Sequence, residues 1–211
     1  MTSCAKGVES HKEIRYYTTQ GGENMEALAA VVTDFLLRKR YITAEEKEVC
    51  KYGYAILFSN LLGFLIIILI SLFAGRLVNG LIFAGIFVTT RKFSGGYHAN
   101  TYFRCNLTIA LVYGFYLILS AVLSKRYAGM LCIMYILYMI CVIQKAPVEN
   151  ENKPLDDEQK IRYRRISILL GVVWGILAVI AGIYAYRYTV MVITTLFCVA
   201  GLMLAGCKEM E

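Results

Sequence analysis

From residue 54 onward the chain alternates between long apolar runs and short polar punctuation. Six runs stand out: Tyr54–Gly75, Leu77–Thr90, Cys105–Leu123, Tyr127–Ile143, Ile166–Ala185 and Thr189–Cys207. A helix needs about 20 residues to cross a hydrocarbon core of roughly 30 Å. Four runs meet that length, Tyr127–Ile143 nearly does, and Leu77–Thr90 falls short. As a helix the short run would cover only about 21 Å, so it reads as either a full span or a re-entrant segment.

Ahead of the runs, residues 1–23 are polar and aperiodic, which predicts a loosely ordered extension. Residues 24–40 predict an amphipathic helix. Leu28, Val31, Val32, Phe35 and Leu36 recur at helical spacing, and the basic cluster Arg38-Lys39-Arg40 follows. Such a helix before a span lies in the membrane interface or packs on the protein's own cytoplasmic face. Thr43-Ala44-Glu45-Glu46 has the form of a capping box and predicts a new helix starting near Ala44. The fold class is therefore all-α: one polytopic membrane domain over 24–211, with six transmembrane helices and an N-terminal amphipathic cytoplasmic helix.

Charge decides the fate of the short run. With six crossings and an inside N-terminus, 18 Lys and Arg fall inside and four outside. If residues 77–90 failed to cross, the split would be eleven and eleven. Basic residues concentrate on the cytoplasmic side of membrane proteins, so the short run is expected to cross. Both termini then face the cytoplasm of a cell membrane, as do the loops 91–104 and 144–165. The net charge of +7 reflects this topology rather than nucleic-acid binding.

Composition narrows the chemistry further. The chain is 58% hydrophobic and 18% charged, more apolar than a soluble domain. No N-terminal secretory signal is visible. The seven cysteines include no CxxC pair, which does not suit a disulfide framework. Cys132, Cys141, Cys198 and Cys207 lie in apolar runs and read as small hydrophobes. All 15 acidic residues fall outside the six runs, which disfavours an ion-coupled transporter.

One segment combines the groups needed for covalent chemistry. Arg91-Lys92-Phe93-Ser94-Gly95-Gly96-Tyr97-His98-Ala99-Asn100-Thr101-Tyr102-Phe103-Arg104-Cys105 holds a histidine and a cysteine beside an apolar run; His11, the other histidine, lies in the polar extension. Three readings are open: an interfacial histidine beside a packed thiol, a metal site, or a Cys–His dyad. Zinc requires three or four ligands, and no third one is near, so no metal and no cofactor are expected. In a dyad the imidazole takes the thiol proton, and Arg91, Lys92 and Arg104 would favour the thiolate. On one straight helix the two side chains would be about 10 Å apart, whereas proton transfer needs about 3 Å. A turn is therefore required after Gly95-Gly96, with Asn100 or Thr101 capping the next helix, unless the dyad forms across a dimer.

Arg91, Gly95-Gly96, His98 and Cys105, with six-span hydropathy and the later loop Lys145–Leu155, resemble the accessory gene regulator B (AgrB) family, the membrane endopeptidases of Gram-positive quorum sensing. The resemblance covers roughly residues 30–205. It implies that Cys105 is the nucleophile and His98 its general base, and that Arg91 and Gly96 match positions important for activity. It also implies an AgrD-like propeptide substrate, whose acidic tail is removed as a thiolactone autoinducing peptide forms, and a homodimeric enzyme. The basic loop residues Lys145, Lys153, Arg162, Arg164 and Arg165 are candidates to dock the acidic tail; topology determination and contact with anionic lipid are the simpler role. The contrasting class is a non-enzymatic transporter or peptide-binding subunit.

Overall fold

A computed structural model describes residues 23–96, 101–123, 125–148 and 155–209 of the 211. The predicted extension 1–22, His98 and Lys153 lie outside these residues. The described chain is helical: α1 (Glu23–Arg38), α2 (Lys47–Phe73), α3 (Leu77–Ser94), α4 (Tyr102–Val122), α5 (Ala128–Lys145), α6 (Asp157–Tyr184) and α7 (Tyr186–Glu209).

Five of these helices, α2, α4, α5, α6 and α7, are long and apolar enough to cross a membrane. The short apolar run sits in α3, which continues past Thr90 to Ser94 and reaches 18 residues, or about 27 Å. Its lower apolarity has a local cause: Asn79 lies in its first turn, and Arg91 and Lys92 lie in its last. Sequence reading ended this element early because charge interrupts apolarity without interrupting the helix.

The capping box forms as its pattern predicts. Thr43 donates its backbone N–H to Glu46 Oε2 at 2.9 Å, and the Glu46 N–H donates to Thr43 Oγ1 at 3.3 Å. Regular helix begins at Lys47, three residues beyond the expected start. The exchange holds the Glu46 carboxyl below its ordinary range, mainly through the Thr43 backbone N–H.

α1 packs along α2, and Asp34 on α1 pairs with Lys47 at 2.9 Å. The helix periodicity is present, but the buried face is not the one with the largest side chains. Ala29 and Thr33 are fully buried, whereas Leu28, Val31 and Phe35 are exposed. Small residues permit close helix approach, so α1 meets α2 through them and turns its bulky ridge outward.

α7 lies at the centre of the bundle. Of its apolar window 72% is buried, against 17–28% for the other spanning-length helices. It packs against α3, α4, α5 and α6, while α2 packs against α3 and α4. Phe83 on α3 anchors an aromatic cluster with Tyr113 and Tyr116 of α4, at centroid separations of 5.0 and 4.8 Å. Nearby polar groups are paired: Tyr113 shares a 2.7 Å hydrogen bond with Ser71, and Arg187 donates to Asn79 Oδ1 at 2.9 Å. These contacts tie α2, α3, α4 and α7 at the end of the bundle away from Cys105.

Candidate active site

Cys105 owes its position to two helix ends. α3 stops at Ser94, and Gly95 and Gly96 follow at φ 72° and 135°, backbone conformations that glycine adopts at little cost. The next described helix starts at Tyr102, with Thr101 as its N-cap; the Thr101 hydroxyl accepts the Arg104 N–H at 3.2 Å. Residues 91–105 are thus not one straight helix: α3 ends at Ser94 and α4 starts at Tyr102. Cys105 sits half-buried in the first turn of α4, and its own N–H is bonded to the Thr101 carbonyl at 3.0 Å.

Arg91, in the last turn of α3, is partly buried and lies within electrostatic reach of Cys105. Its guanidinium carbon is 5.4 Å from the Phe87 ring centroid, so an aromatic face helps hold the cation. Lys92 and Arg104 are exposed. Tyr102, one helical turn before Cys105, is partly buried, and α2 packs against α4.

Gly95 has a second function that its φ value alone would not reveal. Val148 donates its N–H to the Ser94 carbonyl at 2.9 Å, and residues 95 and 148 form an isolated parallel bridge. A Cβ at Gly95 would lie 2.1 Å from the Val148 carbonyl oxygen. The glycine therefore admits the segment after α5 against the segment after α3. Ser94, Gly96, Ala146 and Val148 are all buried there. On its other side Gly96 abuts the α7 backbone; a Cβ there would lie 3.4 Å from the Leu202 carbonyl group.

The basic residues of the second loop diverge. Arg164 donates to the Ile143 carbonyl at 2.6 Å, which satisfies an open carbonyl at the end of α5. Arg162 and Arg165 are exposed and line a shallow groove with Glu158, Ile161 and Ile166 on α6. Lys145 is exposed at the end of α5. Sequence reading missed Val148 and Leu202 as neighbours of the glycine pair. Only the Gly95-Gly96 pair, free in backbone conformation, and Ala146-Pro147, restricted in it, hinted at the first. Among the described residues no group of three His, Cys, Asp or Glu side chains is placed to hold a metal ion, and the described cysteines are free thiols.

A helical bundle of spanning length, with a half-buried cysteine in the first turn of one helix and an arginine in the last turn of the helix before it, defines a multi-pass membrane protein with a candidate thiol site. Residues 29–204 match the family Accessory gene regulator B, and the chain belongs to that family. An AgrB-like protein of Clostridium perfringens (strain SM101 / Type A) is 26% identical over 143 residues, 64% of this chain and 66% of the relative. AgrB-like protein 2 of Clostridium perfringens (strain 13 / Type A) is 28% identical over 123 residues, 55% and 57% of the two chains. The chain thus spans 66% and 57% of the length of these two curated relatives. No solved structure matches.

Proposed function

We propose that this chain is a membrane-embedded cysteine endopeptidase of quorum sensing, acting on an AgrD-like propeptide. Membership of the AgrB family supports the setting. The observation that carries the chemistry is the break between α3 and α4, which sets Cys105 in the first turn of α4 and Arg91 in the last turn of α3. The thiolate is the nucleophilic form of a cysteine, and His98 lies in the chain between the two helices.

In this reading His98 takes the Cys105 proton, and the thiolate adds to the scissile carbonyl. Collapse breaks the C–N bond, and the imidazolium gives its proton to the departing amine. The acyl group stays on Cys105 as a thioester. A thiol of the peptide then displaces Cys105 and closes a thiolactone; water instead would yield a linear acid. Ring closure requires a held peptide and a dry site.

The same reading includes six crossings with both termini and the dyad on the cytoplasmic side, α1 at the membrane interface and a homodimeric enzyme. Lys145, Lys153, Arg162 and Arg165 receive the acidic tail, while Arg164 supports the end of α5. Coexpression with the short propeptide encoded beside this gene, followed by mass spectrometry, tests the reading. Cleavage and cyclisation are expected from the native chain and from neither Cys105→Ala nor His98→Ala. Processing that survives Cys105→Ala would sink the mechanism.

A further inference from the structure

An apolar groove of about 270 Å³ opens between α4 and α7. Leu111, Val112 and Phe115 of α4 line it on one side, and Phe197, Cys198 and Leu202 of α7 on the other. Gly201 makes a notch in one side: it is exposed, and a Cβ there would meet nothing within 4 Å among the described residues. Here the largely buried central helix is open to the outside.

Two links join the groove to the candidate site. Val112 follows Cys105 by seven residues on α4, which puts it on the same helix face two turns away, about 10 Å along the axis. On α7 the groove residue Leu202 is the one whose carbonyl group Gly96 abuts. The groove thus lies on the face of α4 that carries Cys105 and borders the α7 residue that the glycine turn abuts.

We propose that this groove binds a large apolar side chain of the peptide substrate, about three residues before the bond that Cys105 attacks. The distance follows from an extended peptide advancing about 3.3 Å per residue over the 10 Å between the two points. The side of the bond follows from the chemistry. Only the N-terminal portion remains on the enzyme as the acyl thioester, so only that portion can be held during ring closure. Apolar lining with no charged residue suits a Leu-, Phe- or Met-sized side chain and rejects a carboxylate. This inference rests on the proposed peptidase reading.

The test fills the groove and asks whether the loss is specific to one substrate position. Gly201→Leu has room for its Cβ, and Gly85→Leu, on an exposed part of α3 with equally open space, serves as control. Each is coexpressed with the propeptide encoded beside this gene and with a series carrying Asp at single positions before the cut. Gly201→Leu is expected to lower processing about tenfold while Gly85→Leu stays within twofold. Alkylation of Cys105 by iodoacetamide, which reports an intact site, stays unchanged in both. Asp about three residues before the cut is expected to cost about tenfold in the native enzyme and little more in Gly201→Leu, because the two changes remove one contact. Processing by Gly201→Leu within twofold of native, or losses that multiply independently, would overturn the groove assignment. So would a Gly201→Leu defect that is equal for every substrate and changes with lipid chain length in nanodiscs, which would make the occupant an acyl chain. Failure of the native chain to process any propeptide would overturn the peptidase reading and the groove with it.

Discussion

The Val148 N–H donates to the Ser94 carbonyl at 2.9 Å, so the segment leaving α5 is fastened to the segment leaving α3. Gly95 makes this approach possible, since its missing Cβ is the space the Val148 carbonyl occupies. Two segments more than fifty residues apart in sequence become one wall at the end of α3.

Gly95→Ala is therefore expected to release that wall. The substitution strains a positive φ and drives a methyl group into backbone that cannot rotate away, at a cost of about 2–3 kcal/mol. Hydrogen exchange at the Val148 amide should rise markedly. Gly85→Ala on α3, with open space at its Cβ, should leave that amide protected and gain up to about 1 kcal/mol from helix propensity. Equal protection of Val148 in both variants would refute the clasp.

Arg91→Gln is expected to lower propeptide processing about tenfold, since a planar cation held against Phe87 is lost from the last turn of α3. Mass spectrometry of the coexpressed peptide measures it. Arg91→Lys should restore only part of the activity, because a compact ammonium lacks the planar face that meets Phe87. Processing by Arg91→Gln within twofold of native would remove Arg91 from the site.

The basic residues of α6 should divide by role. Arg165→Glu and Arg162→Glu are expected to slow processing of a propeptide with an acidic tail by about fivefold to tenfold, an effect that shrinks as salt rises. Arg164→Ala should instead lower thermal stability in detergent by about 1 kcal/mol, through the open Ile143 carbonyl. If the stability loss followed Arg162 and the processing loss followed Arg164, the division would be reversed.

The contact between α1 and α2 carries a definite pH response. Lys47 holds the Asp34 carboxyl below its ordinary range, chiefly through their hydrogen bond, and Asp34 in turn holds Lys47 above its own. A depressed carboxyl stabilises the fold above its unfolded pKa of about 3.9, and the contribution is lost as pH falls through the lower folded value. A raised lysine stabilises below its unfolded pKa of about 10.4, and that contribution is lost as pH rises through the higher folded value. The contact is thus constant near neutral pH and loosens in acid below about pH 4. Fluorescence transfer between labels on α1 and α2 should fall there in the native chain and change much less in Asp34→Asn.

Topology has its own test. Thiol-accessibility mapping of single-cysteine variants at residues 92, 104, 145 and 160 should place all four on the cytoplasmic side and residues 76 and 126 on the other. Labelling of residue 160 from outside would refute the six-span arrangement.

Length and apolarity determined the helices directly, because a backbone in lipid satisfies its polar groups most simply by forming them. Local hydrogen bonding determined the Thr43–Glu46 box and the Thr101 cap, whose partners lie within three residues. The incompatibility of a dyad with one straight helix likewise demanded the turn at Gly95-Gly96. Tertiary structure decided the rest. α3 runs on to Ser94 because packing sustains a helix that hydropathy had ended. α1 buries Ala29 and Thr33 because close helix approach outweighed side-chain size. The fastening of Val148 to Ser94, the neighbourhood of Arg91 and Cys105 and the groove beneath them all depend on which helices surround α7. Apolar periodicity does not encode that order, since in a bilayer the lipid-facing and protein-facing sides of a helix are both apolar.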